Sequence, residues 1–294
     1  MQIKDLVDKL ALSAHPAALG GCKVHKTTLE CCEYNITVFD GANQKDQISR
    51  VDDIVVRIHH GKINESNAST LQKYENMVIL SDNDWSLGIF LSTIKEKKEA
   101  IRASTIKECL IDASYYATKA KQGLGMDPFA TVWLKCAAYL VCDALVLLNS
   151  KMRSPTHMLE FIRRSEKSKI NESFLRVAEI IGLERATPSL LERMVKSTIG
   201  FSDMIEANGH SQIIQKKYEY LVNNSLLSDC YFYLGCVNKA NVALVSETMH
   251  KRPDLIHLLK IGLDLEHDQT KIEQQAKDLH KLANDMSASI QNYA

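Results

Sequence analysis

The chain has 294 residues, of which 45% are hydrophobic and 24% are charged. This composition is that of a globular protein large enough for two domains, and it excludes a disordered or fibrous chain. The 36 basic side chains balance the 36 acidic ones. Because proteins that bind nucleic acid or membrane surfaces are usually basic, this balance argues against both kinds of partner.

The first hundred residues alternate between helix and strand patterns. A helix over about residues 2–13 is predicted first, and its mixed charged and apolar sequence lacks the apolar core of a signal peptide. Short apolar runs then predict strands in "HPAALGG", "EYNITVFD", "DDIVVRIHH" and "NMVILSD", and a helix follows in "LGIFLSTIKEKKEAI". We therefore expect an α/β domain with a small mixed sheet over residues 1–100.

From residue 101 to 294 the sequence predicts helices only. Thr105 and Glu108 have the spacing of a capping box, and Asp127 followed by Pro128 is typical of a helix start. Further helices are expected over about 155–166, 171–181, 188–221, 224–249 and from Pro253 to near the end. The second domain is therefore predicted to be a helical bundle.

The compartment is predicted from the apolar stretches and the cysteines. The most apolar stretch, from Cys136 to Asn149, is interrupted by Asp143 and is predicted to be a buried core helix, so we expect a soluble, cytoplasmic protein with no membrane contact. Eight cysteines are present, and the compartment favours reduced thiols. A zinc site could be drawn from Cys22, His25, Cys31 and Cys32, but no CxxC pair exists and neighbouring residues of a strand point to opposite faces, so non-ligating thiols are favoured.

One strand begins with polar residues on a single face. Glu33 and Asn35 lie two positions apart ahead of an apolar run, and the pair Gly20 and Gly21 precedes them in the chain. This order resembles the nucleotidyltransferase fold of polymerase-β-like enzymes, in which Gly-Ser is followed by acid-x-acid at the head of an apolar strand. The helices after residue 104 are similar to the helical domain of aminoglycoside-type nucleotidyltransferases.

The resemblance implies a site for two divalent ions and a nucleoside triphosphate. Glu33 and Asp53 would hold Mg²⁺, with Asp52 as the other candidate for the third acid, and Asn35 would be a weak third ligand. Gly20 and Gly21 would let backbone N–H groups approach the phosphates. The implied ligand is a nucleotide or related small molecule bound between the domains.

The sequence departs from the family pattern at the decisive positions. Asn35 replaces a carboxylate, Glu33 is one methylene longer than aspartate, and Gly21 replaces the serine. Two functions are therefore open: metal-dependent transfer of a nucleoside monophosphate to a hydroxyl, or an inactive scaffold that acts through protein contacts of its helical domain. A homo-oligomer formed through that domain is also expected.

Three other sets of residues have weaker patterns. Arg252 and His257 match the Arg-x4-6-His spacing of a helical RNA-cleaving family, a match that chance alone also supplies. His59 and His60 end a strand and are expected to be solvated. Tyr115 and Tyr116, followed by Lys119 and Lys121, could line a substrate cleft or form one core face and one solvated face of a helix.

Overall fold

The computed structural model describes residues 9–10, 12–25, 28–205 and 209–291. The chain divides into two compact units, Met1–Thr105 with Asn208–Ile213, and Ile106–Ala207 with Ile214–Ala294. The helix predicted over residues 2–13 lies mostly outside the described residues, and Leu12–Ala14 forms one turn of 3-10 helix.

The first unit contains the small mixed sheet that the sequence predicted, and this sheet has five strands. Its strands are β1 (Ala17–Gly20), β2 (Tyr34–Val38), β3 (Gln47–Val51), β4 (Ile54–His60) and β5 (Val78–Ser81). They lie in the order β3-β4-β2-β1-β5, with β2 and β4 parallel and the other neighbours antiparallel. The sequence did not predict β3, in which Gln47, Ser49 and Arg50 are polar and no residue is fully buried.

Alternation along the strands gives the sheet two different apolar faces. One face carries Leu19, Ile36, Val56 and their neighbours. The other carries Ala18 and Phe39, which pack with side chains from α1 (Ala68–Tyr74) and α2 (Ser86–Glu96). This second face is apolar only at one end, because Asn35 on β2 and its partner Arg57 on β4 share the same face at the other end.

The second unit is helical, as predicted. The helices that follow α2 are α3 (Lys98–Gly123), α4 (Ala130–Leu148), α5 (Met158–Arg163), α6 (Lys169–Glu172), α7 (Phe174–Ile181), α8 (Pro188–Ile205), α9 (His210–Asn223), α10 (Leu227–Val245), α11 (Leu255–Gly262) and α12 (Gln269–Gln291). The division between the two units falls within α3 and again within α9.

The helical core is built around α4. Among the described residues, α4 is the one helix long and apolar enough to cross a membrane, and 83% of that stretch is buried within the protein. Its exposure is therefore that of a core helix. Facing helix α10 approaches it closely, since Gly235 lies against the ring of Tyr139 and leaves no room for a β-carbon.

Several predicted helix limits are wrong. Thr105 does not start a helix: it lies inside α3, buried, and its hydroxyl donates to the carbonyl of Ile101. The long helices predicted over 188–221 and from Pro253 onward are each divided in two. In the second case Asp264 adopts a left-handed φ of 48°, which interrupts the helical backbone.

Candidate functional site

The glycine turn and the polar strand head come together in the first unit. Gly20 ends β1 and pairs with Asn35 on β2. Gly21 has a φ of 69°, in the left-handed region, and a β-carbon there would lie 2.7 Å from the amide nitrogen of Asn35. The turn therefore needs glycine at this position both for its backbone angle and for its approach to Asn35.

Asn35 joins two titratable side chains. Its amide Nδ2 donates to Glu33 Oε1 at 3.4 Å, and its Oδ1 lies 3.1 Å from Nε2 of His59 on β4. Glu33 is buried, with 8% of its surface exposed. Glu33 and Asn35, which the sequence predicted as site residues, are therefore neighbours on one face, and both form hydrogen bonds within the protein.

The chain of contacts continues to a loop residue, Asp46. Nδ1 of His59 lies 2.9 Å from Oδ2 of Asp46. The same oxygen accepts from Nε and Nη2 of Arg57 at 2.8 and 2.6 Å. Burial alone would raise the pKa of Asp46, but hydrogen bonds and charges from His59 and Arg57 outweigh it and hold that pKa well below its ordinary value.

The proton on His59 decides the charge of the cluster. Both ring nitrogens face oxygen atoms, so both contacts are hydrogen bonds when the imidazole is protonated. Burial lowers the pKa of His59, while its hydrogen bond with Asp46 works in the opposite direction. With His59 protonated, its charge and that of Arg57 balance the carboxylates of Glu33 and Asp46.

Asp53, the predicted third acid, is not brought to this cluster. It lies with Asp52 in the tight turn between β3 and β4, where its side chain is fully exposed and 3.5 Å from Arg50. It lies four positions before Arg57 in the chain, a distance of about 13 Å along a strand. Asp52 has a φ of 54° and bonds to Lys9. The acids end up in a turn because a short hairpin needs residues that tolerate left-handed backbone.

The donor set does not fit the two-ion site that the resemblance implies. Glu33 supplies one carboxylate, Asn35 is uncharged, and the nearby carboxylate of Asp46 is already bonded to two basic side chains. Divalent ions such as Mg²⁺ bind where carboxylate oxygens outnumber nearby positive charges. Here the guanidinium of Arg57 already supplies a positive charge to the Asp46 carboxylate, where such an ion would have to bind.

The "SDNDW" turn has a structural role. Asp82 accepts from the backbone N–H groups of Leu87 and Gly88, and Asp84 accepts from the N–H and hydroxyl of Ser86. Both carboxylates therefore cap the start of α2.

The remaining predicted residues have local partners. Nδ1 of His60 lies 2.7 Å from Asp40, so it is not simply solvated as expected. In the helical unit, Tyr116 stacks on Trp133 and the ammonium of Lys119 lies 3.5 Å from the centre of the same ring. These contacts favour the structural interpretation of the two residues, while Tyr115 is exposed.

Arg252 and His257 have separate surroundings. Arg252 is held by Asp254 through Nε and Nη2, at 3.1 and 2.9 Å, and His257 is exposed on α11. All eight cysteines are buried, and none of them forms a disulfide bond, which agrees with the prediction of reduced thiols.

Sequence reasoning missed Asp46 and the linking role of His59. Asp46 lies in a polar loop with no periodic pattern, so nothing local marks it. The alternation of β4 does place Arg57 and His59 on one face, and their parallel pairing with β2 puts that face beside Asn35. If β2 and β4 are known to be neighbours, the alternation of side chains along a strand is enough to place His59 on the same face as Asn35.

Comparisons with known proteins add little beyond the structure. No protein-family model matches the chain, and no curated protein matches it. Among solved structures, the chain is similar to a nucleotidyltransferase-like protein from Exiguobacterium sibiricum, with a TM-score of 0.35 and 11% identity over 95% of this chain and 89% of that one. A similarity of that size carries no argument about activity.

Proposed function

We propose that this chain is a nucleotidyltransferase-like protein whose sheet is not catalytic and which works as a scaffold through protein contacts of its helical unit. The hydrogen-bond chain from Glu33 through Asn35 and His59 to Asp46 carries this proposal. Where a transferase needs carboxylates available to metal, this chain bonds them to an amide and two basic side chains.

The surface of the helical unit supports the second half of the proposal. Ile111 and Tyr115 lie one turn apart on α3 and are 56% and 60% exposed. Residues at this spacing share a helix face, and exposed apolar and aromatic side chains together favour contact with another protein.

Titration calorimetry tests the proposal. We expect no heat from Mg²⁺, Mn²⁺ or any of the four nucleoside triphosphates at concentrations up to about 1 mM, because the polar side chains of this cluster already bond to one another. The rival function is metal-dependent transfer of a nucleoside monophosphate to a hydroxyl. Metal-dependent binding of a triphosphate would favour that rival and overturn the proposal.

A pair of variants makes the result specific to the site. Glu33→Gln removes the buried carboxylate of the cluster, whereas Glu30→Gln removes an exposed carboxylate three residues earlier. If the wild type binds metal with a triphosphate, and Glu33→Gln alone abolishes this binding, Glu33 is a ligand. Under the proposal neither substitution changes the calorimetric trace.

A further inference from the structure

One segment of the first unit collects its exposed apolar side chains. Among the described residues of that unit, all four exposed large apolar side chains lie between positions 78 and 89. They are Val78, Ile79, Trp85 and Ile89, with exposures of 52%, 43%, 76% and 68%. Single exposed apolar residues are common, but a cluster of this kind marks a contact surface.

The same segment includes an edge strand. β5 ends the order β3-β4-β2-β1-β5 and pairs with β1, so its other side is open among the described strands. Its sequence "VILS" has no charge and no proline. Edge strands in monomeric proteins usually carry such residues to prevent pairing, as Arg50 does on the opposite edge strand, β3.

The exposed side chains occupy both faces of this edge. Val78 pairs with Leu19 and Ile79 with Ala18, and these partners belong to the two opposite apolar faces of the sheet. A partner that covers both Val78 and Ile79 must therefore lie in the plane of the sheet. An added strand does this, and a helix laid on one face does not.

Trp85 is held outward by a rigid turn. Its φ of 64° is rare for a bulky residue, and Asp82 and Asp84, which both precede it in the turn, fix the backbone through bonds to Gly88 and Ser86. Ile89 lies one helical turn after Trp85, because its N–H donates to the Trp85 carbonyl, and Ile79 Cδ1 would lie 3.8 Å from a β-carbon on Gly88 in the same turn of α2. The turn therefore extends the apolar surface of β5 on the α2 side of the sheet.

We propose that β5 pairs antiparallel with β5 of a second copy of this chain, joining two sheets into one of ten strands. A two-fold axis perpendicular to the sheet relates the copies, so that α2 of each lies on the same side and the Trp85 and Ile89 side chains of the two copies meet. Such an interface is self-complementary, as two-fold contacts between identical chains must be.

Area and charge both suit a second copy. The four side chains expose on the order of 400 Å² of apolar surface per copy. With the backbone of the edge and the polar rim, two copies would bury roughly 1,200 to 1,600 Å², the range of stable interfaces. A register centred on Ile79 sets Ile79 opposite its own copy and Asp82 opposite Asn76, so no carboxylate faces its own copy.

Sedimentation velocity of the full chain tests the pairing. We expect a dimer at about 100 µM that dissociates on dilution. Ile79→Lys places like charges across the join and should weaken the dimer at least about tenfold, whereas Gln47→Lys adds the same charge on the exposed opposite edge and should change nothing. Trp85→Asn suits the left-handed backbone, so it should fold normally and still weaken the dimer.

Hydrogen exchange distinguishes strand pairing from other contacts. Amides of Val78–Ser81 should gain protection as the protein concentration rises, and the β3 amides should not. A wild-type chain that stays monomeric at about 100 µM overturns the inference. So does a dimer that Ile79→Lys and Trp85→Asn leave intact, since that dimer would form elsewhere, for example through the helical unit. The inference is independent of whether the sheet is catalytic.

Discussion

Asn35→Asp replaces the side-chain amide that links Glu33 and His59 with a carboxylate. The new carboxylate replaces an amide nitrogen that lies 3.4 Å from Glu33 Oε1 and keeps an oxygen 3.1 Å from His59 Nε2. Two carboxylates at the first distance repel by about 5 kcal/mol at an effective dielectric constant of 20. A protonated His59 at the second distance supplies an attraction of similar size.

The cost of the substitution should therefore depend on pH. The folded variant raises the pKa of His59, because a carboxylate now faces Nε2, and a raised histidine pKa gives stability that is present at low pH and lost as pH rises. We expect a loss in unfolding free energy of about 3 kcal/mol near pH 8 and under about 1 kcal/mol near pH 5.5.

Urea denaturation of the variant and wild type at both pH values checks this result. Asn67→Asp is the matched control, because Asn67 caps α1 by accepting from the N–H of Thr70 and aspartate does this equally well. Divalent ions should not restore the lost stability. An equal loss at both pH values, or recovery of the variant with Mg²⁺ or Mn²⁺, would refute the charge argument and favour a metal pair.

Three further substitutions test the packing and the buried charge. Gly235→Ala would place a methyl group against the buried Tyr139 ring and should lower the free energy of unfolding, measured with urea, by at least about 3 kcal/mol. In Gly200→Ala, a control in α8, the nearest atom to the new methyl group is 3.9 Å away, so the free energy of unfolding should rise by about 0.5 kcal/mol. Similar values for the two variants would contradict the close approach of α10 to α4. Burial lowers the pKa of Lys135 to about 7, so stability should rise with pH above that value by about 1 kcal/mol per unit, and Lys135→Met should flatten this slope. Trp85→Asn should stabilise the diluted protein by about 0.5 kcal/mol and raise its melting temperature by about 1 °C, since asparagine accepts left-handed backbone; a lower melting temperature would contradict this.

Strong local patterns predicted most of the fold. The apolar run after Asn35 and the run before His59 each gave a strand, and the family resemblance correctly made them neighbours in a mixed sheet. The polar strand β3 was missed because it is an edge with little buried surface. Thr105 was misplaced because a Ser/Thr and Glu spacing also occurs inside long helices, where the hydroxyl bonds back to the preceding turn.

The sequence predicted only the part of the candidate site that lies on β2 and in the glycine turn after β1. Gly21, Glu33 and Asn35 do lie together, because β1 and β2 pair directly. Asp53 lies apart from them in the exposed turn between β3 and β4, and residue type alone does not distinguish a turn acid from a strand-head acid. Asp46 reaches the cluster through a loop whose path no periodicity encodes, so only the folded chain identifies it.

A Mn²⁺-soaked crystal with a non-hydrolysable nucleoside triphosphate shows whether the Glu33 carboxylate binds a metal ion. The anomalous signal of manganese locates the ion without reference to activity. We expect no anomalous peak at Glu33 or Asn35 and an intact contact between Asn35 and His59. A manganese peak within bonding distance of the Glu33 carboxylate, with His59 displaced, would contradict this expectation.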